Sequence, residues 1–132
     1  MGYRRWIRRA QIAAAILFWP AIGVVIWGEL KPSTQGPEAI WDKLLHFIAY
    51  FGLAGIATAA LGRRKAALWA AFALAVFGGI LEIVQSFVGR DAEWGDELAN
   101  VVGVCAGLAT AWAVLWAVER FVPGSNAAGR NR

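Results

Sequence analysis

Long apolar runs separated by short polar segments dominate the chain. Four runs are long enough to form membrane-crossing helices, at about 10–28, 44–61, 66–88 and 98–118. A bilayer core about 30 Å thick needs roughly 20 apolar residues in a helix, and helices satisfy their own backbone hydrogen bonds in lipid. The runs do not alternate between polar and apolar positions as barrel strands do. The pattern predicts an all-α transmembrane bundle of four helices, forming a single domain over residues 1–132.

Composition supports a membrane protein. Of 132 residues, 59% are hydrophobic and 17% are charged, against ~45–50% and about 25% in soluble domains. A small soluble core could not bury so much apolar surface. One cysteine, Cys105, excludes an intrachain disulfide. The basic start resembles a signal peptide, but the first apolar run is longer than a signal core, so a retained helix is predicted.

Basic residues are unevenly distributed among the segments between the predicted helices. Most lysines and arginines lie in the N-terminal arm, the second loop and the tail, whereas most acids lie in the loops 29–43 and 89–97. Cytoplasmic segments are enriched in Lys and Arg. We therefore expect a multi-pass membrane protein with both termini cytoplasmic. The clusters flank membrane segments, so no nucleic-acid partner is predicted.

Polar residues inside or beside the spans concentrate at the predicted outer side. Ionisable groups in a membrane are costly and are by default functional candidates. At the start of the second span, polar residues recur every four positions and therefore share one helix face. The third and fourth spans each contribute a pair of polar residues at the same depth. We predict a polar pocket roofed by the loop 89–97. Its candidate residues are Asp42, Lys43, His46, Tyr50, Glu82, Gln85, Arg90, Asp96 and Asn100.

Small residues recur at spacings that allow helices to approach closely. The fourth span has them every four positions, which is typical of a tightly packed helix face. The second and third spans contain glycines that could serve the same purpose. The residues are Ala99, Gly103, Gly107 and Ala111 in the fourth span, and Gly52, Gly55, Gly78 and Gly79 in the others.

Three blocks carry a resemblance to a known family. Residues Asp42–Tyr50 are similar to Asp-Lys-x-x-His-Phe-x-x-Tyr, Glu82–Phe87 to Glu-x-x-Gln-x-Phe, and Arg90–Gly103 to Arg-x5-Asp-x3-Asn-x2-Gly. In this order they resemble the VanZ-like family of small bacterial polytopic membrane proteins. The resemblance implies a multi-pass protein of the bacterial cytoplasmic (inner) membrane with a cell-envelope role. The family's namesake is associated with low-level resistance to the lipoglycopeptide teicoplanin.

The first functional hypothesis is a binding protein. Its pocket would hold a polar headgroup of a membrane lipid, or a lipid-linked or cell-wall ligand, at the outer leaflet. Lys43 and Arg90 would contact an anionic part, while Asp96 and Asn100 would orient polar groups. The sequence leaves the oligomeric state open, a homo-oligomer included.

The alternative is an intramembrane enzyme acting on a lipid-linked phosphate or amide. His46 and Glu82 would form an acid–base pair, and Tyr50 could hold or protonate the substrate. No activated nucleophile is evident. Ser86 has no paired base by spacing, and Cys105, one turn deeper than Asn100, is expected to be a packed, inert thiol. The sequence alone therefore does not decide whether the chain is an enzyme.

Two further interpretations need weighing. His46, Glu82 and Asp96 could bind a metal, but one histidine without a second His or Cys is a weak zinc signal. No metal and no cofactor are therefore predicted. Asp42 and Asp96 could also stabilise helix N-termini, which would give them a purely structural role.

Overall fold

A computed structural model describes residues 2–31, 39–88 and 93–121, and these residues are 93% helical. No strand occurs in those ranges, which form α1 (Gly2–Leu30), α2 (Ala39–Leu61), α3 (Lys65–Gln85) and α4 (Trp94–Phe121). Each helix is long and apolar enough to cross a membrane. The prediction of an all-α bundle with four membrane-length helices is confirmed.

Consecutive helices run in opposite directions. Glu29 near the end of α1, His46 near the start of α2 and Glu82 near the end of α3 meet at one end of the bundle, which we call the polar end. At the opposite end, Arg63 Nη1 lies 3.4 Å from Glu119 Oε2, which joins the α2–α3 turn to the end of α4. The start of α1 and the end of α4 therefore lie on the same side of the bundle.

The helices differ from the predicted spans mainly at the polar end. Glu29, expected in a loop, lies inside α1, and α4 begins at Trp94, so part of the predicted loop 89–97 is helical. Hydropathy detects the apolar part of a helix, whereas the helix itself can continue into polar surroundings. Conversely, α3 ends at Gln85, short of the predicted 88. Residues 89–92 of the predicted roof, including Arg90, lie outside the described residues.

The closest helix contact joins α4 to α2. A Cβ atom added at Gly103 would lie 2.5 Å from the backbone oxygen of Phe47, and one at Gly107 would overlap the backbone oxygen of Phe51. The predicted close packing along this face of α4 is therefore confirmed at Gly103 and Gly107. Small residues let helix backbones approach in a membrane, where dispersion contacts favour association.

The glycines of α2 do not behave as predicted. A Cβ added at Gly52 or Gly55 would meet no atom of the described residues within 4 Å, so the expectation that they allow close helix packing is wrong. On α3, by contrast, a Cβ at Gly78 would lie 2.9 Å from Asn100 Nδ2. Its missing side chain makes room for the polar residues of α4.

The interior is narrow and centres on α2. Its buried apolar residues include Tyr50, Leu53, Ala54, Leu74 and Val104. Large apolar side chains cover the outside instead; Trp19, for example, is 72% exposed. A surface of this kind suits contact with lipid and would be unfavourable in water.

Candidate functional site

The single histidine lies at the centre of the polar end. His46 is only 4% exposed, and its Nδ1 lies 3.1 Å from Oδ1 of Asn100 on α4. Asn100 is completely buried, and its Nδ2 donates a hydrogen bond to Glu97 Oε2 at 3.3 Å. A carboxylate only accepts, so this bond orients the Asn100 amide with its oxygen toward His46. Nδ1 of His46 then carries the imidazole proton and donates a hydrogen bond to Asn100 Oδ1.

Two further helices direct carboxylates at the same imidazole nitrogen. Glu29 Oε1 of α1 lies 3.6 Å from His46 Nδ1, and Glu82 Oε1 of α3 lies 3.7 Å from it. Both glutamates are 6% exposed. Each of the four helices thus contributes one buried polar residue to this group, which we call the histidine cluster: Glu29, His46, Glu82 and Asn100.

Two neighbouring side chains border the histidine cluster. Gln85, at 1% exposure, donates from Nε2 to the backbone oxygen of Glu29 at 3.3 Å, which ties α3 to the end of α1. Tyr50 is fully buried, and its ring lies next to Asn100, because a Cβ added at Gly78 would lie 3.2 Å from Tyr50 Cε1 and 2.9 Å from Asn100 Nδ2. The structure therefore gathers Tyr50, Glu82 and Gln85, which the sequence singled out, around His46.

Lys43 lies at the rim and contacts acids of the α4 N-terminal region. Its Nζ is 2.6 Å from Glu93 Oε2 and 3.3 Å from Oδ1 of Asp96, whose side chain is 3% exposed. The ammonium group that we expected to meet an anionic ligand is thus neutralised by carboxylates of the chain itself. Asp42 and Asp96 both lie in the first turns of their helices, where a negative charge also stabilises the helix dipole.

The residues whose potential metal-ligand atoms lie close together differ from the predicted metal ligands. Asp42, His46 and Asp96 present ligand atoms within 4.8 Å of one another, whereas the sequence suggested His46, Glu82 and Asp96. Lys43 Nζ, 3.3 Å from Asp96 Oδ1, already brings positive charge to this position. A divalent ion would have to displace it, so these residues are a poor fit for a metal.

A cavity of about 500 Å³ lies between α3 and α4 beside the histidine cluster. Its surface is mainly apolar, and carboxylates are present among the side chains that line it. Glu82 belongs both to this cavity and to the histidine cluster. The lining residues are Val76, Gly79, Ile80, Glu82, Ile83, Glu93, Trp94 and Glu97.

Sequence reasoning missed two residues of the site, Glu29 and Glu97. Both lie in the predicted outer loops 29–43 and 89–97, because they flank apolar runs rather than interrupt them. A signal for Glu29 does exist, since it is the single acid of α1 and directly follows a long apolar run. Among the described side chains of α1 it is also the only buried one. Arg90, which the sequence included, lies outside the described residues.

The fold and the site together indicate a multi-pass helical membrane protein with a buried histidine cluster at one end. No protein-family model, curated protein or solved structure matches the chain. Its function is therefore argued from its own geometry.

Proposed function

We propose that this chain is a VanZ-like protein of the bacterial cytoplasmic membrane that binds the polar part of a cell-envelope or lipid-linked ligand at its polar end. One observation carries the proposal. Glu82 lies 3.7 Å from His46 and also lines the cavity between α3 and α4. A ligand in this cavity would therefore reach the histidine cluster directly.

The burial pattern of α1 supports a role beyond folding. The buried residue of its described part is a glutamate, while apolar side chains such as Ile16 and Val24 face outward. Replacing buried ionic groups by packed apolar residues is often neutral or stabilising. A chain under selection for stability alone would be expected to place a leucine at position 29. Retaining Glu29 beside His46 is better explained by binding.

The proposed orientation puts the polar end at the outer leaflet. Lys and Arg predominate in the segments at the opposite end, including Arg63, Arg64 and Lys65 in the α2–α3 connection. This distribution supports a cytoplasmic location for that end and for both termini. The cavity would then be accessible to membrane lipids and to lipid-linked precursors exposed at the outer surface.

Photo-crosslinking tests the binding proposal. Purified protein in nanodiscs would be labelled with a photoactivatable polyprenyl phosphate and with a photoactivatable diacyl phospholipid. We expect at least one probe to label wild-type protein, and His46→Leu and Glu82→Leu to reduce that labelling severalfold. Thr58→Val is the matched control, because Thr58 is also buried on α2 but lies roughly 18 Å along the helix from His46. Equal labelling of all four proteins would refute the proposal.

The VanZ-like resemblance extends the proposal to antibiotic susceptibility. An envelope ligand bound at the outer leaflet would connect this chain to the route by which the family's namesake affects teicoplanin. Expression in a susceptible bacterium should raise the minimal inhibitory concentration of teicoplanin, and His46→Leu should abolish the increase. An increase that survives His46→Leu would separate the phenotype from the histidine cluster.

Intramembrane catalysis is the second candidate function, and the proximity of His46 to Glu82 favours it. The side chains that could act as nucleophiles are placed elsewhere: Ser86 Oγ is exposed and donates to the Ile83 backbone oxygen at 2.6 Å, and Cys105 is exposed on the surface of α4. A reaction would thus use water, with the His46–Glu82 pair as acid and base. Turnover of a lipid-linked phosphate or amide, lost in Glu82→Gln, would support catalysis over binding.

A further inference from the structure

The cavity between α3 and α4 opens sideways, through a surface suited to lipid. Three of its lining residues have strongly exposed side chains: Ile80 at 52%, Ile83 at 63% and Trp94 at 92%. Its volume of about 500 Å³ falls within the ~300–1,000 Å³ of ordinary ligand sites. A molecule would approach such an opening from within the bilayer, so its occupant should itself be a lipid.

The two parts of the cavity have different chemistry. Val76, Ile80 and Ile83 of α3 form an aliphatic wall, whereas Glu93, directly before α4, and Glu97 of α4 form an acidic one. An acyl chain fits the first wall, because burying each CH₂ group contributes about 0.8 kcal/mol. A carboxylate on the second wall that has no cationic partner would attract a cationic group of the same lipid.

Glu97 differs from Glu93 in its partners among the described residues. Glu93 is paired with Lys43 at 2.6 Å, but Glu97 receives a hydrogen bond from the neutral Asn100 amide. Among the described residues, no lysine or arginine forms an ion pair with Glu97. A cationic group of a ligand would supply the missing charge at this position.

Glycines on α3 give the Glu97 carboxylate its space. A Cβ added at Gly78 would lie 2.9 Å from Glu97 Oε2, and one at Gly79 would lie 3.6 Å from Glu97 Oε1. Gly79 also lines the cavity. A large side chain at position 79 would therefore occupy the space next to the carboxylate, whereas Gly55 on α2 faces open space and provides a matched control.

We propose that the α3–α4 cavity holds one lipid with a primary ammonium headgroup, with its chain along Val76, Ile80 and Ile83 and its ammonium group at Glu97. This inference rests on the proposed function and deepens it by naming the ligand class and a lateral route of access. The ammonium group donates charge-assisted hydrogen bonds to the carboxylate. The same lipid then lies next to Glu82 and the histidine cluster.

Native mass spectrometry of the full chain tests this inference with lipids of identical acyl chains. The probes are dioleoyl phosphatidylethanolamine, its N-acetylated form, which keeps the phosphate but lacks the ammonium group, and dioleoyl phosphatidylglycerol. We expect wild-type protein to retain phosphatidylethanolamine about tenfold more strongly than the other two, equivalent to about 1.4 kcal/mol. Glu97→Gln, which keeps the shape and an acceptor for Asn100, should abolish the preference. Gly79→Leu should abolish retention, and Gly55→Leu should not.

The outcomes separate this inference from the proposed function. Equal retention of the three lipids, or a preference unchanged in Glu97→Gln, would overturn the ammonium specificity. Retention that survives Gly79→Leu would exclude the α3–α4 cavity as the site. If the photoactivatable probes still label the protein in a His46-dependent manner, the proposed function stands while this inference fails. If the protein shows neither lipid retention nor His46-dependent labelling, both the proposed function and this inference are refuted.

Discussion

His46 Nδ1 lies 3.1 Å from Asn100 Oδ1 and joins α2 to α4 through a hydrogen bond between two buried side chains. Glu97 fixes the direction of this bond by accepting from Asn100 Nδ2. The acceptor-only carboxylate thus determines the Asn100 amide orientation, which determines the position of the imidazole proton. We call these two hydrogen bonds the Asn100 relay. Through it, the position of the proton on His46 depends on Glu97, which lines the cavity.

The first prediction concerns the tautomer of His46. Because Asn100 presents its oxygen, neutral His46 should carry its proton on Nδ1 and keep the Nε2 lone pair available. Asn100→Leu removes the acceptor and should change the tautomer balance. The chain contains one histidine, so ¹⁵N spectra of selectively labelled protein report on this residue without overlap.

The Asn100 relay is tested separately by Glu97→Leu. Removing the carboxylate releases the Asn100 amide, so the proportion of the Nδ1–H tautomer should fall. Thr58→Val, distant from the cluster, should leave the spectrum unchanged. A wild-type spectrum dominated by the Nε2–H tautomer would show that the relay does not operate in this direction.

The second prediction concerns the contact between α2 and α4. Gly103→Ala and Gly107→Ala place a methyl group against the backbone oxygens of Phe47 and Phe51, so the helices must separate. Overpacking of this kind costs about 1–3 kcal/mol, and thermal unfolding in detergent should show a lower Tm for both variants.

Glycines of α2 provide the control for this contact. An added Cβ at Gly52 or Gly55 meets open space, so Gly52→Ala and Gly55→Ala should change stability by about 1 kcal/mol or less. If all four alanine variants have the same Tm, the close approach of α4 to α2 does not determine stability.

These glycines show why some of the fold could be predicted and some could not. The apolar runs define four helices because only lengths near 20 residues cross a bilayer, and alternating helix direction brings His46, Glu82 and Asn100 to one end. Hydropathy does not determine which face of each helix points inward, because lipid and the protein interior are both apolar. The role predicted for Gly52 and Gly55 failed for this reason.

Glu29 illustrates a second limit, at the helix ends. A glutamate directly after an apolar run is compatible with a loop and with the last turn of a helix, and hydropathy alone does not distinguish them. Its contact with His46 depends on the rotation of α1 about its axis, which is set by tertiary packing. The polar candidates within one helix were predictable from their spacing of three or four residues, whereas contacts between helices required the structure.

The third prediction distinguishes the two contacts of Lys43. Glu93→Gln removes a partner that is 44% exposed, and exposed ion pairs contribute little to stability. Lys43→Met also deprives Asp96, with 3% side-chain exposure, of its ion-pair partner, and an uncompensated buried charge is costly. Lys43→Met should therefore lower the Tm more than Glu93→Gln does.

A double variant completes the Lys43 test. Adding Asp96→Asn to Lys43→Met removes the buried charge and should recover part of the lost Tm. The same Tm for Lys43→Met and Glu93→Gln, with no recovery in the double variant, would show that Asp96 does not need the Lys43 ammonium group.

The fourth prediction concerns the orientation of the bundle in the membrane. Lys31 follows α1 at the polar end and Lys65 begins α3 at the other end, and both side chains are exposed. In a Cys105→Ala background, a membrane-impermeant thiol reagent applied to intact cells (spheroplasts where an outer membrane is present) should label Lys31→Cys, because the polar end faces outward. Lys65→Cys should react only in inverted vesicles, as the distribution of Lys and Arg predicts.

The reverse pattern would place the histidine cluster at the cytoplasmic leaflet, where a ligand exposed at the outer surface could not reach it. Labelling of both positions from the outside would contradict a membrane-spanning α2.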